Sequence, residues 1–310
     1  MNKYPFVFLL AISIYLSTGL TVFSQLPSGG KIANPEWICV QSDDGEFSVD
    51  VPSEYRYFAS AVEFVVAKNE KRSKLQNLKM LNSYFGGTLL SFEIYDGTKE
   101  GLDTIFEDDK DKGKSSDKIE STREKDGKRQ LIRKSDRFYF KRQYFYTKSH
   151  IYVLSAASRG NETEQMVRFF SSVKFNKSEE KQLDASKVKI SSLLVSIPRI
   201  ELKPVITSSS QTPSNPTVKN DNPTKLIVFC RPRPAYTERA KAKNIEGFIT
   251  FRVTLGSDGF LSNIIVTSSI DDGLLMQAIY AAIRLKFLPE EKNGNAVTVA
   301  RTIEYGFDIY

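Results

Sequence analysis

Alternation and helical spacing mark two patterned stretches of the chain, separated by one that shows neither. In the first, Trp37 to Val40 and Phe47 to Val51 read as short strands around the turn Asp43-Asp44-Gly45, with Pro52 stopping the second. Thr88 to Tyr95 is a further strand, closed by Asp96-Gly97. Arg137 to Tyr146 carries Phe138, Phe140, Tyr144 and Tyr146 on one face and Tyr139 and Phe145 on the other, the pattern of a strand buried on both sides. Ile151 to Ala157 pairs with it across a turn that contains His150. Asn161 with Glu164 reads as a capping box opening a helix whose apolar side is Val167, Phe169 and Phe170. Asp108 to Arg129 is dense in charge and predicts an exposed loop or a frayed helix.

The second patterned stretch fills the last eighty residues. Thr237 caps a short helix, and Glu246-Gly247 turns the chain. Ile249, Phe251, Val253 and Leu255 share one face of a half-buried strand. Gly256-Ser257-Asp258-Gly259 turns it back into Phe260 to Thr267. A helix follows Asp271-Asp272, with Leu275, Ala278, Ile279, Ala282, Ile283 and Lys286 at helical spacing, and Pro289 ends it. From Val297 the chain alternates to Tyr310.

Between the two, residues 178–228 carry Pro198, Pro204, Pro213, Pro216 and Pro223 among Ser, Thr and Asn. Such a chain favours extended conformations and predicts a flexible linker spanning on the order of 100 Å or more. Ser192 to Ile197 is the one apolar piece, a strand that would dock on the first module.

The N-terminus adds an address. Lys3 precedes an almost wholly apolar run from Phe6 to Phe23, which predicts a signal peptide over residues 1–24. The competing reading is an uncleaved inner-membrane anchor, because the run approaches the ~17–25 residues that span a bilayer. Both readings put Gln25 to Tyr310 outside the cytoplasm. Charge changes little: the formal net charge is +7, with acidic residues interleaved among basic ones, so no nucleic-acid-binding face emerges.

The candidate chemistry is sparse. Cys39 and Cys230 form a possible disulfide in an oxidising compartment, against the alternative of two buried thiols. The one histidine, His150, has no second imidazole for a metal site or triad. Asp109, Asp111, Asp117 and Glu120 imitate part of a calcium loop, but Lys114 stands where that loop needs glycine. The expectation is therefore no catalytic residues, no cofactor, no metal and no enzyme.

The order of Pro234 with Tyr236, Glu246-Gly247, Asp258-Gly259, Ala278 with Ala282, Lys286-Phe287 before Pro289, and Asn293-Gly294 resembles the C-terminal domain of the TonB family. The resemblance covers residues 229–310, about a quarter of the chain. It implies periplasmic placement and recognition of an outer-membrane transporter or another envelope protein, by adding an extended segment beside the final strand. The implied partner-binding strand is Val297, Thr298, Val299, Ala300, Arg301, Thr302, Ile303, Glu304 and Tyr305. An alternative use of that edge is homodimerisation. Energy-transducing members also couple to ExbB and ExbD type motor proteins through a histidine in a membrane helix. The apolar run here has none. The expected architecture is α+β throughout: signal peptide, a β-rich domain over 36–177, the linker, and the small TonB-like domain.

Overall fold

The computed structural model describes residues 35–61, 64–68, 71–111, 118–123, 128–176, 184–196, 198–202, 224–270 and 272–308. The proposed signal peptide, Asp117 and Tyr310 lie outside these residues.

A large antiparallel sheet forms the first module. Its strands run in the order Arg56–Ser60, Lys71–Phe85, Thr88–Asp96, His150–Ser158, Phe138–Tyr146, Arg129–Ser135 and Lys118–Arg123. Phe64–Lys68 pairs with one end of Lys71–Phe85. The central strands are buried on both faces, as the two-sided aromatics of Phe138–Tyr146 predict. Phe140 and Tyr144 enter one core while Tyr139 enters the other. Thr88–Asp96 alternates likewise: Leu90, Phe92 and Ile94 face one side, Leu89 and Tyr95 the other. Glu93 shares the Leu89 and Tyr95 face and is buried.

One face of the sheet is covered by a small sheet ordered Lys174–Phe175, Phe47–Pro52, Trp37–Gln41 and Val188–Lys189, and by the helix Glu164–Ser171. That helix starts two residues later than the capping-box reading places it. Thr163 is its cap, and its hydroxyl accepts from Met166 N. Met166 and Phe169 are its buried residues, and Val167 is exposed.

The opposite face is covered by the helix Lys99–Asp111 and by the C-terminal elements. Of the stretch 108–129, read as an exposed loop or a frayed helix, the described residues close this helix and form strands. Leu102, Ile105 and Phe106 at helical spacing anchor the helix, and Lys118–Arg123 adds an edge strand after it. Asp109 of the calcium-like pattern points inward: its carboxylate accepts from Arg142 at 2.7 Å and from the Tyr144 hydroxyl at 3.0 Å.

The stretch read as one linker contributes short strands where it is described. Val188–Lys189 pairs in parallel with Trp37–Gln41, and Val195 bridges to Tyr57. Arg199–Leu202 pairs in parallel with Leu261–Ser268 of the C-terminal sheet. Residues from Asn34 onward form one compact unit. A single apolar cluster runs from Leu78, Leu89 and Tyr95 through to Ile249, Phe251, Ala278 and Phe287. Among the described residues no helix is long and apolar enough to cross a membrane.

Candidate functional site

The C-terminal elements are built as their residues dictate. Ile227–Cys230 opens the domain, and Arg231 to Tyr236 follows without regular structure. The Tyr236 hydroxyl donates to the Ile245 carbonyl, and its ring meets Phe307 edge-on at 5.7 Å. Thr237 caps Glu238–Ala242 by accepting from Ala240 N, as predicted. Gly247–Leu255 buries Ile249, Phe251, Val253 and Leu255 and leaves Phe248 and Arg252 exposed. Gly259, at φ +77°, closes the turn into Leu261–Ser268. Its missing side chain also lets the turn abut Tyr84 and Leu89 of the first module, since a Cβ there would lie 2.9 Å from Leu89 Cδ1.

The helix Leu274–Ile283 is shorter than predicted. Lys286–Leu288 leaves it and pairs antiparallel with Ile227–Cys230. Asp272 holds the approach: its carboxylate takes Arg239 at 2.5 Å and Lys243 at 2.9 Å, and its carbonyl takes the Thr237 hydroxyl. The hydrogen bond from Lys243, with help from Arg239, holds the Asp272 carboxyl below its ordinary value.

The predicted partner-binding strand divides in two. Asn295–Val297 belongs to a small hairpin with Glu290–Lys292, and Thr298 breaks the run, its hydroxyl accepting from Ser257 N. Val299–Phe307 is the final strand, so Val299, Ala300, Arg301, Thr302, Ile303, Glu304 and Tyr305 fall on one element while Val297 and Thr298 do not. It pairs antiparallel with all of Gly247–Leu255, and no strand flanks its other side among the described residues. Ile303, Tyr305 and Phe307 are buried beneath the sheet, while Ala300, Thr302, Glu304 and Gly306 are exposed. Phe248 lies across Gly306, where a Cβ would come within 3.2 Å of the ring.

Parity decides which backbone groups face the open side. The Thr250 carbonyl faces Leu261–Ser268, since it accepts from the Thr267 hydroxyl at 3.0 Å. Thr250 is therefore bonded away from its partner Glu304, and the even residues of the final strand point their N–H and C=O groups outward. Two guanidiniums meet that row. Arg231 Nη2 donates to the Glu304 carbonyl, with its guanidinium 5.3 Å from the centre of the Tyr305 ring. Arg301 Nη1 donates to the Ala300 carbonyl at 2.9 Å, and its Nη2 pairs with Glu290. Burial pushes the Tyr305 hydroxyl up to about 12, against the lowering pull of Arg231.

The other side of the domain is closed by buried charge. Lys286 Nζ lies 3.0 Å from Glu93 Oε1, within hydrogen-bond reach of Met80 Sδ and 3.0 Å from Asn82 Oδ1. Arg142 reaches Glu93 at 3.3 Å, and the Tyr95 hydroxyl donates to Glu93 at 2.6 Å. Burial alone would raise the Glu93 carboxyl, but Lys286 and Arg142 outweigh it and hold the group well below the carboxylate range. Burial depresses Lys286, and Glu93 restores only part of the shift. Of the two readings of Cys39 and Cys230, the bridge is not formed. Both thiols are free, and Cys230 Sγ instead lies 3.6 Å from Arg142 Nη1. Burial, with Asp50 beside it, pushes the Cys39 thiol up.

Pattern reading missed this network. Its only traces were Glu93 inside the strand Thr88 to Tyr95 and Lys286 at helical spacing with the apolar Ala282 and Ile283.

Residues 232–309 match the family model of the Gram-negative bacterial TonB protein C-terminal. A solution structure of the Pseudomonas aeruginosa TonB C-terminal domain also aligns, at 26% identity, over 27% of this chain and 86% of that one, with a TM-score of 0.25. A comparison with curated proteins gave no match. The family match covers the C-terminal elements only, and the large sheet of the first module lies outside it.

Proposed function

We propose that this is a non-enzymatic protein of the cell envelope whose TonB-like domain binds an extended segment of an outer-membrane partner by strand addition at Val299–Phe307. The observation that carries the reading is the outward row of backbone groups at Ala300, Thr302, Glu304 and Gly306, on a strand whose other edge is fully paired. Backbone groups supply affinity in this mode, and the alternate side chains supply selectivity. TonB-family domains are binding modules, which agrees with a site made of main chain rather than of acids, bases or nucleophiles. Export through the N-terminal apolar run belongs to the same reading. Coupling to a proton-driven motor does not, since the one imidazole sits in the first module.

The test is titration of the isotopically labelled full chain with a peptide from the periplasm-facing N-terminus of an outer-membrane transporter. The expected result is shift and exchange protection at the amides of Thr302 and Glu304. Unchanged amides from Val299 to Tyr305 at saturating peptide would overturn the reading. Sedimentation of the free chain separates a dimer that consumes the same edge.

A further inference from the structure

The unique histidine does not stand alone once the chain is folded. His150 opens the strand His150–Ser158, and the turn between Trp37–Gln41 and Phe47–Pro52 delivers Asp44 and Glu46 beside it. His150 Nδ1 lies 3.2 Å from Glu46 Oε2, and one donor atom from each of Asp44, Glu46 and His150 falls within 4.8 Å of the others. On the far side of the ring, Nε2 lies 3.5 Å from Asp96 Oδ1. Asp96 is itself oriented by Asn77, whose amide donates to Oδ2 at 2.5 Å.

We propose that Asp44, Glu46 and His150 bind a divalent transition-metal ion of the zinc type. The ring places its two nitrogens in different roles. With Nε2 directed at Asp96, a metal ion at Nδ1 would be shared with the Glu46 carboxylate, in the place that a ring proton otherwise fills. A carboxylate behind the second nitrogen of a ligating imidazole is the usual device for fixing tautomer and raising basicity. Bonds of about 2.0–2.2 Å from zinc to nitrogen and oxygen put tetrahedral ligands about 3.3 Å apart, close to the His150–Glu46 separation. Asp44 then needs to close by about an ångström or more, within the reach of a side-chain rotation in a turn built on Gly45.

Asp43 is committed to Lys79 at 2.9 Å and to the Ser191 amide at 2.8 Å. The Tyr152 hydroxyl donates to Glu46 at 3.2 Å and orients it, while Ser42 and the Glu46 amide hold one oxygen of Asp44. The Ser149 hydroxyl, 3.2 Å from Nδ1, is the contact a metal would displace. Asp44, Asp96, His150 and Tyr152 line a cavity of about 140 Å³, room for waters to complete the coordination. An ion here would tie the first hairpin turn to the main sheet.

The test is calorimetric titration of zinc chloride into untagged, chelator-stripped full chain. One ion per chain is expected, with a melting temperature that rises with zinc. His150→Ala should weaken binding at least tenfold. Asp96→Asn should weaken it about 10–100-fold without removing a ligand. Because the chain has one imidazole, its Nδ1 resonance reports ligation directly, and a zinc-dependent shift there keeps the test independent of how well the variants fold. Absence of saturable zinc binding overturns the proposal. So does zinc binding with an unmoved Nδ1 resonance, or equal affinity in His150→Ala.

Discussion

The TonB-like domain meets its surroundings in two opposite ways. Toward the first module it presents Lys286, desolvated and held by Glu93, Asn82 and a shared apolar core. Toward solvent it presents the edge of Val299–Phe307, where the outward groups are backbone and the guards are two exposed arginines. The first contact is costly to break, because parting it strands buried charge. The second is cheap to exchange, because each guanidinium returns to water when displaced. The difference teaches that the contact with the first module is costly to undo, whereas the edge proposed as the binding strand can exchange its guards cheaply.

The largest effect should come from the closed side. Lys286→Ala removes the one ammonium that faces Glu93, and breaking a buried pair in this way costs about 3–5 kcal/mol. Urea unfolding of the full chain measures it. A loss under about 1 kcal/mol would show that Arg142 and Tyr95 satisfy Glu93 without the lysine and that the two sides differ less than described.

Acid probes the same contact. The folded Glu93 carboxyl sits below its ordinary value of 4.5, so below that pH the unfolded chain binds more protons than the folded one. The stabilisation is whole above about pH 4.5 and falls as the pH drops toward the folded value. Glu93→Gln should flatten the stability curve between about pH 5 and 2, and a curve unchanged in shape would assign acid lability elsewhere.

How much of this contrast was legible in the sequence depends on what carries it. The open side was readable because alternation is local: Ile303, Tyr305 and Phe307 against Thr302, Glu304 and Gly306 fix the buried and exposed faces of the final strand. The turn at Thr298 was not, since the residues on either side keep the same alternation while the chain changes partner. The closed side was not readable at all. Lys286 continues the helical spacing of Ala282 and Ile283, and only its pairing across the domain with Ile227–Cys230 turns it into a strand residue facing Glu93. His150, Glu46 and Asp96 likewise meet only through strand register, over sequence separations that no motif spans.

On the open side, Thr302→Pro should remove one outward N–H without touching a ladder bond to Gly247–Leu255. Proline is tolerated where the N–H of an edge strand faces solvent. Peptide affinity should drop about tenfold or more, since strand addition loses a bond and meets a ring, while urea stability changes by less than about 1 kcal/mol. Equal losses of binding and stability would show that Thr302 faces inward, against the parity set by Thr250.

The smallest effect sharpens the comparison most. Arg231 occupies the Glu304 carbonyl, the acceptor that an added strand would use. If the guard competes with the partner, Arg231→Ala should tighten peptide binding by about two- to fivefold, in keeping with the modest net value of an exposed hydrogen bond. The same variant leaves a carbonyl of the edge unguarded and should increase concentration-dependent self-association in sedimentation. Weaker peptide binding would mean instead that Arg231 contacts the partner, and the open side would then recognise charge as well as backbone. Arg231→Lys distinguishes the two: a guard needs only a donor near Glu304, whereas a planar contact to a partner carboxylate needs the guanidinium fork.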